Sequence, residues 1–150
     1  MNFENAEQLR KFLSDRFGID LGNVYLKSTP HGIRAISPEL IKESENIFGI
    51  EGFMAYSKNS GLNPHFFQLI GPLSRKNIIA LNKKDALMYA NAEQIKKNVI
   101  GEPGIVILAY KGHILGFGIL EGKGKIRCPL KEKQKREIIN EINPYPGRVL

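Results

Sequence analysis

The feature that most constrains the fold is a pair of apolar segments in the second half of the chain. Ile105–Tyr110 is continuously apolar, and Lys111-Gly112 separates it from a second segment, His113–Leu120, which contains Gly116 and Gly118. Two such segments joined by a short glycine-containing turn are typical of a β-hairpin. Glycines inside a strand indicate a bulge or a sharp bend, as barrel corners need. This half of the chain is therefore expected to form a small barrel.

The flanking sequence supplies the rest of such a barrel. Strands are predicted at Ile78–Leu81 and Lys125–Cys128, and Asn82 is placed to cap a helix that reaches Ala90. Lys131–Ile142 is compatible either with a helix or with an irregular basic segment.

The first half begins with an amphipathic helix. Asn5 and Gln8 have the spacing of a capping box, and Gly18 stands where a left-handed residue ends a helix. Between them, apolar residues recur on one helical face: Leu9, Phe12, Leu13 and Phe17.

Short strands and two further helices follow. The strands are predicted at Val24–Lys27, Ile33–Ile36 and Phe53–Ser57. Ser37-Pro38 and Asn63-Pro64 each combine a capping residue with proline at the first helical position, which predicts two helix starts. The first of these helices is expected to end near Ile47.

Charge balance changes near Gly71–Lys76, which is the expected domain boundary. Residues 1–75 hold 8 basic and 8 acidic residues, whereas residues 76–150 hold 14 and 7, so the second half carries the whole net charge of +7. The predicted architecture is α+β, with an α/β domain at 1–73 and a β pseudo-barrel at 74–150. Such asymmetry hints at a polyanionic partner, although a solvated basic surface is the alternative.

The single cysteine, Cys128, rules out an intrachain disulfide and favours a reducing compartment, so a cytoplasmic location is expected. No apolar segment approaches the length of a membrane span, and the N-terminus does not resemble a secretory signal. We expect no membrane association.

Little in the sequence indicates catalysis. Gly116-Phe117-Gly118 lies inside a strand, which argues against a dinucleotide fingerprint. Cys128 has no histidine or carboxylate beside it to complete an activated pair. The three histidines (His31, His65 and His113) are isolated from other ligand types. No metal, cofactor or catalytic residue is therefore expected, and an enzyme is the least favoured of three hypotheses.

Basic residues form the strongest functional pattern. The segment from Lys123 to Arg136 has a single acid, Glu132, and seven basic residues: Lys123, Lys125, Arg127, Lys131, Lys133, Lys135 and Arg136. The first three alternate along a predicted strand and should share one sheet face. Lys96-Lys97, expected in a loop, and Arg75-Lys76 at the boundary add two clusters. Rows of cations suit a phosphate backbone.

Residues 76–136 resemble a PUA domain. Lys76–Ala86, the helix to Ala90 and the small-residue turn Ala92-Glu93-Gln94-Ile95 resemble the opening of that family, and the hairpin Gly104–Gly118 is similar to its central hairpin. This resemblance implies an RNA-binding pseudo-barrel. In the family, RNA is held by the helix-to-strand turn and a late strand. The matching residues here are Asn91, Ala92, Gln94, Lys96, Lys97, Lys125, Arg127 and Lys131.

One position departs from the family pattern. Asn91 stands where the family's turn has glycine, and asparagine tolerates the left-handed backbone that such a turn needs.

Upstream, Leu9–Ile19 and Leu62–Gly71 resemble the segment that precedes the PUA domain in two groups of proteins. One group is the Sun-type RNA cytosine methyltransferases, and the other is a small archaeal and eukaryotic ribosome-biogenesis factor with a pre-PUA domain. The resemblance implies a non-catalytic RNA-binding protein, accessory to tRNA or rRNA modification or to ribosome biogenesis.

An adaptor is the alternative. In that hypothesis the neutral first half would dock an RNA-modification enzyme or an assembly factor, and its apolar segment Phe66–Ile70 would be the contact.

Overall fold

The structure, a computed structural model, describes residues 2–36, 53–99 and 101–142. The chain divides into two compact units, residues 1–76 and 77–150. Both units combine helices with β-sheet, so the predicted α+β class is confirmed. The helix predicted to run from Ser37-Pro38 to Ile47 lies outside the described residues.

The first unit opens with helix α1 (Ala6–Phe17), as predicted. The Asn5 side chain accepts a 3.0 Å hydrogen bond from the Gln8 backbone N–H, which caps the helix. The reciprocal half of the expected capping box is shifted, because the Gln8 side chain accepts from the Glu4 N–H instead. Gly18 ends the helix in the left-handed region.

A four-stranded antiparallel sheet follows, in the order β1-β2-β3-β4. Its strands are β1 (Tyr25–Thr29), β2 (Gly32–Ile36), β3 (Phe53–Ser57) and β4 (Gly61–Leu62). The sequence predicts no strand at β4, because a two-residue strand has no detectable alternation.

Helix α2 (Pro64–Ile70) then starts at the predicted Asn63 cap and continues into a 3₁₀ turn, Gly71–Leu73. The Asn63 side chain accepts from the His65 backbone N–H at 3.0 Å.

The second unit contains a curled five-stranded sheet in the order β5-β7-β8-β9-β6. Its strands are β5 (Ile78–Leu81), β6 (Ile95–Lys96), β7 (Gly104–Tyr110), β8 (His113–Glu121) and β9 (Lys125–Arg127). Among the described strands of this sheet, β5 and β7 pair in parallel and the other pairs are antiparallel. Helix α3 (Lys83–Ala90) connects the two edge strands, β5 and β6, and helix α4 (Glu132–Ile142) follows β9.

The β7–β8 hairpin is the centre of this sheet. Lys111 and Gly112 both have positive φ, as a two-residue type I′ turn requires. The register shifts so that Leu108 faces Gly116 while Ala109 faces Ile114, which leaves Leu115 as an extra residue on β8. The expected irregularity near Gly116 is therefore present as a β-bulge, within a strand that continues to Glu121.

Gly118 permits close packing inside the curled sheet. A Cβ at this position would lie 2.7 Å from Ile126 Cγ2 and 3.0 Å from Leu108 Cδ1. Neighbouring strands therefore fill the space that a side chain would need.

Helix α3 contacts both edge strands of the sheet, β5 and β6. Its Tyr89 ring is fully buried, and its hydroxyl donates a 2.9 Å hydrogen bond to the Phe117 carbonyl oxygen on β8. Helix α4 packs against α3 and buries Ile138 and Ile142 in the same core. Of the two structures the sequence allowed for this segment, the helix is correct.

No helix within the described ranges is both long and apolar enough to cross a membrane.

Candidate nucleic-acid interface

Two lysines face each other at the edge of the second sheet. In the antiparallel β6–β9 pair, Ile95 lies opposite Ile126 and Lys96 lies opposite Lys125. Both isoleucines are buried and both lysines are exposed, so the two cations share the outer face. The sequence had placed Lys96 in a loop; the structure places it in strand β6 because its backbone pairs with β9.

Lys97 continues this edge but has an acidic partner. Its backbone N–H donates to the Gly124 carbonyl oxygen at 2.8 Å, and its ammonium lies 3.3 Å from the Asp85 carboxylate in the first turn of α3. Lys97 follows β6 in a loop, as predicted, and is half-buried and partly neutralised.

Arg127 shares its face with Lys125, as predicted, and it too is paired. Its Nε lies 3.0 Å from Oε1 of Glu121, the residue directly opposite Lys125 in the β8–β9 register. An acid therefore interrupts the row of cations. Because both partners are about half exposed, the pair contributes little to stability and can be exchanged for another anion.

The sheet face expected for Lys123 is wrong. Lys123 lies in the 3₁₀ turn Gly122–Gly124 with φ of 67°, two residues before β9 begins at Lys125. Its exposed side chain does not follow the strand alternation. It does, however, belong to the turn whose Gly124 bonds to Lys97.

We define the basic edge as five residues of β6, the position directly after it, β9 and the 3₁₀ turn Gly122–Gly124: Lys96, Lys97, Lys123, Lys125 and Arg127. Their acidic partners are Asp85 and Glu121, so three cations are in excess. Like charges placed opposite each other in a sheet cost free energy. An anion bound at Lys96 and Lys125 would relieve that repulsion.

The helix-to-strand turn before β6 is built differently from the prediction. Ala92, with φ of 56°, is the left-handed residue, whereas Asn91 has φ of −89°. The Ala92 N–H bonds to the Tyr89 carbonyl and the Glu93 N–H to the Met88 carbonyl, which is the Schellman pattern. The Asn91 side chain instead donates to the Leu87 carbonyl oxygen at 2.9 Å. Gln94 is exposed next to β6.

A second basic group lies on and before α4, which begins four residues after β9. Lys131, Lys133 and Arg136 are exposed. Lys135 lies 2.9 Å from the Glu132 carboxylate, and this hydrogen bond holds the pKa of Glu132 below its usual range. Three of the four cations of this group are thus not engaged in that pair.

Arg75 and Lys76 belong to the first unit, whereas the other predicted residues belong to the second. The Arg75 backbone N–H donates to the Phe17 carbonyl oxygen at 2.8 Å, so this arginine is anchored to the end of α1.

Sequence reasoning missed the residues that set the net charge of the basic edge. The acids Asp85 and Glu121 are separated from their partners by twelve and six positions, and only strand register and helix placement bring them together. Lys83 and Lys84, exposed in the same helical turn as Asp85, were also missed. The signal for those two lysines was their position directly after the predicted Asn82 cap.

Two further candidates for chemistry are Cys128 and His65. Burial raises the pKa of the Cys128 thiol to about 12, which opposes the thiolate that a nucleophile needs. His65 Nδ1 lies 3.0 Å from the Gln68 side-chain oxygen. Within the described residues, no three metal-binding side chains cluster together.

Comparison with known proteins does not assign the chain to a family. No protein-family model matches the chain, and no curated protein is significantly similar to it.

Proposed function

We propose that this chain is an RNA-binding protein without catalytic activity of its own. Its second unit would be a PUA-like pseudo-barrel, and the protein would serve tRNA or rRNA modification or ribosome biogenesis in the cytoplasm. The observation that carries the proposal is the pairing of Lys96 with Lys125 on an exposed face, within an edge where cations exceed acids by three.

The architecture of the second unit supports this proposal. A curled sheet whose two edge strands are both contacted by α3 is compatible with a PUA-like pseudo-barrel. The turn and the late strand that the family resemblance implicates meet here, since β6 follows the Ala92 turn and pairs with β9.

The mode of recognition follows from the aromatic residues. In the described part of the second unit the aromatic side chains, Tyr89, Tyr110 and Phe117, are all buried. Binding of single strands commonly relies on exposed aromatic rings on which bases stack. Lysines without such rings suit contacts to phosphates, so the proposed target is structured RNA recognised by backbone and shape.

The test is filter binding of total tRNA and rRNA fragments across a salt series. We expect replacement of Lys96 and Lys125 by alanine to weaken binding. The slope of log K against log salt should fall by about 2, or about 1 for each phosphate that is no longer neutralised. The matched control replaces Lys27 and Lys58, two exposed lysines of the first unit, and so removes the same charge elsewhere.

Two outcomes would refute RNA binding at the basic edge. Absent or salt-insensitive binding by the unaltered protein would exclude the function, and equal weakening in both double variants would exclude this location.

A second candidate function is the adaptor. Phe66 and Phe67 are fully buried, so most of the apolar α2 segment belongs to the core. Leu69 and Leu73, however, are 64% and 47% exposed. A protein partner that is retained after nuclease treatment and released on replacement of Leu69 and Leu73 by serine would favour this function over direct RNA binding.

A further inference from the structure

A cleft of about 430 Å³ lies beside helix α1, and all of its lining residues belong to the first unit. Arg10 and Ser14 line it from the helix, four positions apart and so on one helical face. Asp20 and Leu21 line it from the loop that follows the helix, and Arg75 completes it. The volume is in the range of small-molecule sites.

Gly18 places Arg75 at this cleft. Its φ of 66° turns the chain at the end of α1, and a Cβ there would lie 3.3 Å from Arg75 Cβ and 3.7 Å from Cγ and Cδ. The aliphatic stem of Arg75 therefore lies over the glycine. The backbone bond from Arg75 to Phe17 fixes where that stem begins.

The two guanidinium groups have few partners. Within the described residues, Arg75 makes no side-chain hydrogen bond or ion pair, and Arg10 makes only a long hydrogen bond of 3.4 Å to the Val24 carbonyl oxygen. Arg10 is half-buried. Arginine presents five donors in a planar fork, so most of the donors at this cleft have no acceptor among the described residues.

The acid at the cleft does not fill this role. Asp20 Oδ1 accepts a 3.0 Å hydrogen bond from the Gly22 backbone N–H, and no described contact joins Asp20 to Arg10 or Arg75. The helix end is satisfied as well, because the Gly18 and Ile19 N–H groups bond to the Ser14 and Leu13 carbonyls. The groups without a described partner are therefore positively charged donors, for which a negatively charged acceptor makes the stronger hydrogen bond.

We propose that this cleft binds a phosphate group, held by the guanidinium groups of Arg10 and Arg75 with the Ser14 hydroxyl as a further donor. The phosphate can come from a free sugar phosphate or nucleotide, or from the backbone of a nucleic acid. The site does not depend on RNA binding at the basic edge, because its residues belong to the first unit.

The test is NMR titration of the ¹⁵N-labelled full chain, observing the arginine Nε–Hε signals. The probes are ribose 5-phosphate, a 5′-hydroxyl diribonucleotide with a single internal phosphodiester, and ribose as the uncharged control. We expect the signals of Arg10 and Arg75 to shift with at least one phosphate-bearing probe and not with ribose. The probe that binds more tightly identifies the source of the phosphate.

Two variants distinguish a specific phosphate-binding site from non-specific electrostatic attraction of the phosphate. Arg75→Gln should raise the Kd for the phosphate probe by about ten-fold or more, because hydrogen bonds to charged groups are among the strong ones. Lys11→Gln is the matched control: Lys11 lies on the same helix, pairs with Asp15, is not part of the cleft lining and loses the same charge. Absence of any shift with both phosphate probes would overturn the proposal, as would an equal rise in Kd in the two variants.

Discussion

The Tyr89 hydroxyl donates a 2.9 Å hydrogen bond to the Phe117 carbonyl oxygen, which joins α3 to the central strand of the curled sheet. Removing this donor with Tyr89→Phe should lower the free energy of unfolding by about 1–2 kcal/mol, the range for a buried hydrogen bond. Denaturant unfolding measures the change. Tyr110→Phe is the control, because the Tyr110 hydroxyl has no described hydrogen bond and should change stability little. Equal effects of the two substitutions would contradict the assignment.

Ala92 has a left-handed backbone that ordinarily favours glycine. Ala92→Gly should raise the free energy of unfolding by about 0.5–1 kcal/mol, since the strain of about 1–2 kcal/mol is partly offset by the greater entropy of the unfolded chain. Thermal and denaturant unfolding measure it. Ala90→Gly, within the last helical turn two residues earlier, should have the opposite sign. A destabilised Ala92→Gly protein would show that the turn is built differently.

Burial of Cys128 makes the free energy of unfolding depend on pH in the alkaline range. Its pKa is raised from 9.0 to about 12, so the unfolded chain releases the proton first as pH rises above 9. The stabilisation is therefore complete below pH 9 and is lost as pH rises toward 12. Burial raises the pKa of Tyr89 in the same direction, starting from 10.0.

We therefore expect the free energy of unfolding to fall from about pH 9, and the fall in Cys128→Ala to begin about one pH unit later. Denaturant melts between pH 7 and 11 measure both profiles. Coincident profiles in the two proteins would show that the thiol ionises equally well folded and unfolded.

Because Glu121 pairs with Arg127, we expect loss of the Glu121 carboxylate to increase the affinity of the protein for RNA. Under the proposed RNA-binding function, Glu121→Gln should release Arg127 for a phosphate, tighten binding and increase the salt slope by about 1. Filter binding across salt measures both. Glu93→Gln removes an exposed acid with no described side-chain partner, and should tighten binding less and leave the slope nearly unchanged. Identical slopes in the two variants would show that Arg127 does not contact RNA.

Local signals in the sequence predicted much of the fold. Asn5, Asn63 and Asn82 each accept the capping bond expected of them, because a cap depends on residues two or three positions away. The Lys111-Gly112 turn is equally local. The bulge at Leu115 was indicated only by the adjacent glycine.

The candidate sites were less predictable because their net charge depends on contacts between residues that are far apart in the sequence. The number of free cations on the basic edge depends on the bonds of Lys97 to Asp85 and of Arg127 to Glu121. Arg10 and Arg75 both line the α1 cleft although they are 65 positions apart in the chain. A periodic sequence pattern cannot predict that two such distant residues lie close together.

The sheet order has a consequence for how the second unit assembles. The β7–β8 hairpin pairs residues that are close in sequence. By contrast, β5 pairs with β7 through Ile78 and Ile107, and β6 pairs with β9 through Ile95 and Ile126, so both of these pairs join residues that are far apart in the chain. Because long loops lose more entropy on closure, both flanking pairs should form after the hairpin. Folding φ-values should then be highest around Lys111-Gly112 and lowest at Ile95 and Ile126. The two strands that present Lys96 and Lys125 would accordingly be joined only after the hairpin has formed.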